Sequence, residues 1–125
     1  MSRVVHFEIP ADDPQRLVDF LVKVFGWRIE TWDGPMDYWL VMTGAEDAEG
    51  EVGIDGAIHR RSEGNAMVVN TVDVADIDEM IANVEKHGGQ ITLPKMAVPS
   101  VGWMACFKDP EGNIHGMMQS DPNAA

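Results

Sequence analysis

The sequence predicts an α+β fold of two tandem βαβββ modules, their strands forming a curled mixed sheet around a cavity. Three observations predict it. The order strand, helix, three strands occurs twice. The two helices end at Gly26 and Gly88, 62 residues apart, and each is followed at once by a strand. The strands alternate, so each offers one face to its module's helix and leaves another that no helix covers; those faces must curl together and enclose something. A duplicated unit is the economical description. At 125 residues the chain is read as one domain, with module one about 1–61 and module two about 66–120.

In residues 3–9, RVVHFEI, Val5, Phe7 and Ile9 share one face, while Val4, His6 and Glu8 share the other. Asp12 or Asp13 can cap the next helix, Pro14 suits its first position, and Leu17, Leu21 and Val24 recur at i, i+4 and i+7. WRIETW (27–32) and MDYWLVMT (36–43) read as strands about the turn DGP. GAEDAEGE (44–51) is a polar loop and a candidate lid. In VGIDGAIHRR (52–61), Val52, Ile54 and Ile58 face one way and Asp55, Ala57 and His59 the other. After the linker RSEGN, AMVVNTVDV (66–74) opens the second module; Val68, Val72 and Val74 suit its helix side, leaving Met67, Val69 and Thr71 on the cavity side.

The second helix carries the capping pattern Asp76 to Glu79 and the stripe Ile77, Met80, Ile81 and Val84. QITLPKMAV (90–98) contains Pro94 and so is a broken or edge strand. The apolar runs 102–107 and 114–119 flank DPEGN, in which Asp109 starts a turn, Pro110 fixes φ, and Gly112-Asn113 tolerate positive φ.

The formal charge is −12, which disfavours nucleic acid and polyanionic ligands and suits cationic ones. No apolar run approaches a membrane span, no signal or lipidation pattern is present, and the single Cys106 excludes an internal disulfide, so a cytoplasmic protein is expected. No Ser-His-Asp order, P-loop or dinucleotide fingerprint is present.

The uncovered face supplies the candidate site residues His6, Glu8, Asp55 and His59. A carboxylate on an enclosed face must be paired or wetted. Glu8 is thus either a general base with a raised pKa or the partner of Arg28 or Arg60. His59 adjoins Arg60 and Arg61 and is expected near a strand end in solvent. Trp32, Tyr38, Trp39 and Trp103 are candidates for an aromatic pocket, a core or a dimer interface. His115 falls on the face opposite Gly116 by alternation, and His87 suits the end of the second helix.

HFEIPADDPQRLVDFLVKVFGW (6–27), VDVADIDEMIANVEKHGG (72–89) and VGWMACFKDPEGN (101–113), in that order and spacing, resemble the vicinal oxygen chelate superfamily. That group includes glyoxalase I, extradiol dioxygenases and bleomycin-resistance proteins. The resemblance implies this glyoxalase-like fold, a homodimer, and in metal-dependent members four ligands. These positions fall on His6, at or near Ala57 (with His59 two residues on), near Val69, and on Gly116. Three therefore lack a donor. The implied function is small-molecule binding in the sheet cavity, as in resistance-like sequestration, with no cofactor; its contact residues are His6, Glu8, Trp39, Asp55, His59, Val69, Gly116 and Met118. The alternative is a divalent-metal-dependent lyase, isomerase or dioxygenase related to lactoylglutathione lyase, with Zn, Fe, Ni or Mn held by His6 and His59 and Glu8 as base. Whether the chain is an enzyme is left open between the two.

Overall fold

A computed structural model describes residues 2–44 and 53–125. The polar loop expected at 44–51, with its lid role, lies outside them apart from Gly44. The chain forms two compact units, one of residues 6–68 and one of residues 1–5 with 69–125.

The first unit holds β1 (Val4–Ala11, from His6 on), α1 (Pro14–Phe25), β2 (Arg28–Thr31), β3 (Tyr38–Met42) and β4 (Asp55–Arg60). Its strand order is β2-β3-β4-β1. β1 runs parallel to β4 with His6 facing Asp55, and β3 runs antiparallel to β4 with Tyr38 facing His59. The second unit holds β5 (Val69–Asp73), α2 (Ile77–Lys86), β6 (Gln90–Val98), β7 (Gly102–Lys108) and β8 (Ile114–Ser120), in the order β5-β8-β7-β6. β5 runs parallel to β8, with Thr71 facing Gly116. Each unit therefore closes its first strand on its last, and the predicted α+β repeat of one element order is present twice.

Asp13 caps α1 by accepting from the Arg16 backbone N–H at 3.2 Å, Pro14 follows at the first turn, and Gly26 ends the helix at φ 71°. Its inward stripe is Leu17, Val18 and Leu21, packed with Phe7, Ile9, Trp39, Val41 and Ile58. Val24 departs from the expected stripe and is exposed, as are all the residues 22–25 of the helix's last turn. Asp76 caps α2 through the Glu79 N–H at 3.1 Å. Ile77, Met80, Ile81 and Val84 cover Val72, Val74, Ala105 and Met117, as the stripe predicts, and His87 is the C-cap. Val68, expected beside them, precedes β5 and is exposed. Ile58 and Ile77 are both fully buried and anchor the two cores, each worth about 1.5–3 kcal/mol in transfer alone.

Pro94 lies in β6, the outer strand of its unit, whose register with β7 shifts between Ile91 and Leu93 and again between Leu93 and Met96. A residue without an N–H is tolerated at such an edge. In the closing hairpin Asp109 Oδ1 accepts from the backbone N–H groups of Glu111 and Asn113, both at 2.9 Å. Oδ2 accepts from His115 Nε2, also at 2.9 Å. Gly112 supplies the positive φ of 87°. The His115 ring stacks on Phe107 on the helix side of the sheet, so its function is to hold the turn.

Candidate functional site

The alternation of β1 sends Phe7 and Ile9 under α1 and leaves His6 and Glu8 on the other face. β4 puts Ile58 in the same core, so Ala57 and His59 share the Glu8 face, and the register of β3 brings Tyr38 beside His59. Four chemistry-bearing side chains thus meet on one face of the unit of residues 6–68.

The Tyr38 hydroxyl donates to Glu8 Oε1 at 3.0 Å. That uses its only proton, so His6 Nε2, 3.2 Å from the same oxygen, must be the donor to it. The order of donation is His6 to Tyr38 to Glu8. His6 Nε2 also lies 3.6 Å from Glu8 Oε1. On the far side, His59 Nδ1 is 3.0 Å from the Arg60 carbonyl oxygen, which can only accept, so the proton sits on Nδ1. His59 Nε2 has no hydrogen-bond partner among the described residues; it is closed to solvent and 3.8 Å from Glu8 Oε2.

Burial alone would push the Glu8 carboxyl up. The proximity of His6, the Tyr38 hydrogen bond and the electrostatic pull of His6 and His59 outweigh it, and the net shift is downward. This corrects the raised pKa expected of a general base: at neutral pH Glu8 is a settled carboxylate and a weak base. The same contact acts on Tyr38 in the opposite sense. Burial, the Glu8 charge and the hydrogen bond to it all push the phenol far above its ordinary 10.0.

His59 is buried, only 7% exposed, where solvent was expected beside two arginines. The arginines explain this themselves: Arg60 turns to the opposite face, 3.0 Å from Asp37 and over the Trp39 ring, while Arg61 reaches Asp12 at 2.9 Å. Neither is Glu8's partner. Trp39 packs into the core under α1 rather than beside Glu8. Asp55 is drawn to the end of β3, accepting from the Thr43 backbone N–H at 2.9 Å. Val69, Gly116 and Met118 belong to β5 and β8 of the other unit. There Gly116 is buried against Thr71, and a Cβ on it would lie 3.0 Å from Thr71 Oγ1. Tyr38, read from the sequence only as an aromatic candidate for a pocket, a core or a dimer interface, is the residue that joins Glu8. Its signal was present: in an alternating strand it faces opposite Trp39, so only one of the pair can join Glu8.

A family model described as the Glyoxalase/Bleomycin resistance protein/Dioxygenase superfamily matches residues 3–115. The chain belongs to this superfamily. Solved structures share its fold at low identity. A hypothetical protein of Bacillus halodurans is 11% identical with a TM-score of 0.71, covering 99% of this chain and 98% of its own. A superfamily member from Vibrio splendidus is 20% identical with a TM-score of 0.65, over 96% and 100% of the two chains. The methylmalonyl-CoA epimerase of Streptomyces coelicolor is 13% identical with a TM-score of 0.68, over 98% and 97%. No curated protein matches the sequence.

The divalent ion of many superfamily members does not fit the donors found here. His6 and His59 flank opposite oxygens of one carboxylate rather than converging on a point, and His6 Nε2 is committed to Tyr38. Among the described residues no three His, Cys, Asp or Glu side chains are grouped to hold a metal. Nor is any described helix of this superfamily member long and apolar enough to cross a membrane.

Proposed function

We propose that this superfamily member binds a small organic molecule on the Glu8 face of residues 6–68, in a sequestering role and without a metal. The observation that carries the reading is the closed order of donation from His6 to Tyr38 to Glu8 Oε1. It engages His6 Nε2 and Glu8 Oε1, two of the groups a metal would need, while leaving the second carboxylate oxygen available. The metal-dependent lyase, isomerase or dioxygenase alternative requires donors where the chain has Ala57, Val69 and Gly116. A coenzyme A ester, as in the Streptomyces coelicolor epimerase complex, carries phosphates that a net charge of −12 repels.

Elemental analysis of protein purified without added metal tests the reading. Sub-stoichiometric metal that does not change on His6→Ala is the expected result. One tightly held divalent ion per chain, lost in that variant, would overturn it.

A further inference from the structure

The uncommitted atoms of the cluster specify what its ligand must offer. Of the two Glu8 oxygens, Oε1 accepts from Tyr38, and Oε2 faces His59 Nε2 at 3.8 Å. The side chain is 28% exposed, so it can be approached. His59 Nε2 is the acceptor nitrogen of the neutral tautomer in which Nδ1–H donates to the Arg60 carbonyl. The imidazole is more than nine-tenths buried, and its Nε2, unlike Nδ1, has no hydrogen-bond partner among the described residues. Two acceptors side by side repel one another, and an unmet buried acceptor is costly to leave so. The arrangement lacks a donor. A ligand carboxylate, phosphate or carbonyl would add a third acceptor, whereas a nitrogen with two N–H groups can serve both.

Charge points the same way. Glu8 is ionised, and the cation nearest in sequence on β4, Arg60, is engaged with Asp37 and Trp39 on the other face. An aromatic wall adjoins the carboxylate: the Trp32 indole meets the Tyr38 ring edge-on with centroids 5.5 Å apart. A Cβ at Gly34 would collide with that indole, so the backbone of the turn is packed directly on it and holds it in place. Aromatic faces next to a desolvated carboxylate favour organic cations.

We infer that the ligand is a primary or secondary organic ammonium whose N–H groups are taken by Glu8 Oε2 and His59 Nε2, beside the Trp32–Tyr38 wall. This rests on the small-molecule binding reading and names the chemical class that reading leaves open.

The test is calorimetric titration of the full chain at neutral pH with four probes that share a ring: benzylammonium, benzyl alcohol, benzyltrimethylammonium and phenylacetate. Benzylammonium should bind about tenfold or more tighter than the alcohol, as a charge-assisted hydrogen bond requires. Phenylacetate should not bind, and the quaternary cation should bind more weakly than the primary one. Glu8→Gln, of equal shape, should erase the preference for benzylammonium. Should that variant fail to fold, the wild-type series still decides. Equal affinity for amine and alcohol would overturn the cation class while leaving small-molecule binding intact. A quaternary cation binding as well as the primary one would overturn the N–H requirement. Failure of all four probes would overturn the inference, whereas the broader reading fails separately, on the bound-metal measurement.

Discussion

His115 donates from Nε2 to Asp109 Oδ2 at 2.9 Å, tying the first residue of the closing turn to the strand that leaves it. With the Asn113 and Glu111 N–H groups on the other oxygen, this one carboxylate organises the whole DPEGN turn. The His115 hydrogen bond foremost, and the backbone N–H of Asn113 next, hold the Asp109 carboxyl well below the usual carboxylate range. A depressed folded pKa means stability that is present above the unfolded value and lost as pH falls through the folded one. Thermal melts of the wild type should therefore show a progressive loss as pH drops below about 4. Asp109→Ala should melt lower at neutral pH and with a flatter acid limb. An unchanged limb would refute the assignment.

Tyr38 is the sole tyrosine, so its ionisation can be followed by tyrosinate absorbance alone. Its folded pKa is raised. The neutral phenol therefore contributes stability that is full below about 10 and declines as pH rises beyond it. Tyrosinate should appear only with alkaline unfolding, and a smooth titration of the folded protein near the ordinary value would sink this account. In Tyr38→Phe the Glu8 carboxyl loses a donor, and its pKa, read by carboxyl NMR titration, should move up from the wild-type value.

Gly116→Glu restores a carboxylate at the position that the superfamily resemblance assigns to the fourth ligand. The new Cβ would meet Thr71 Oγ1 at 3.0 Å, tighter than ordinary packing. A cost of about 1–3 kcal/mol in urea denaturation is expected, as for other overpacked sites. No gain in zinc binding should accompany it, since the other donors remain absent. Stoichiometric zinc uptake by this variant would contradict the mismatch argued here.

Ile58→Ala and Ile77→Ala each hollow out a fully buried site in one of the two cores. Each should cost about 2–5 kcal/mol in denaturant unfolding. Val24→Ala, on the exposed side of α1, should stay within about 0.5 kcal/mol of wild type. A large effect at Val24 would mean that this face is covered in solution.

These contrasts mark what was legible in the residues. The Asp76 capping pattern, the α2 stripe, the Pro94 edge and the DPEGN turn are local signals, each with its cause inside a few residues, and each appears as read. The failures are decisions between neighbours. Val24 and Val18 both fit a helical stripe, and only the tertiary packing, which takes Val18 into the core and leaves the last turn exposed, tells them apart. Tyr38 and Trp39 are adjacent bulky aromatics whose faces are fixed by pairing with His59 and Ile58, far away in the chain. His59 looked solvated because two arginines follow it, yet each of those arginines has an acidic partner elsewhere. Glu8's pKa direction depended on His6 first and Tyr38 after it, contacts that only the folded face brings together.

The parallel pairing of β1 with β4 and of β5 with β8 also bears on how the chain acquires its structure. In both units the strand synthesised first waits for the strand synthesised last, while the antiparallel hairpins between them can form by local zipping. Closing such non-local pairs costs loop entropy before any contact repays it, so these two closures are the steps expected to limit the folding rate. Until β8 is complete, the inner edge of β5 is an open template for another chain. Nascent or truncated forms ending before Gly116 should for that reason self-associate, and the turn held by Asp109 and His115 becomes a kinetic safeguard as well as a structural one.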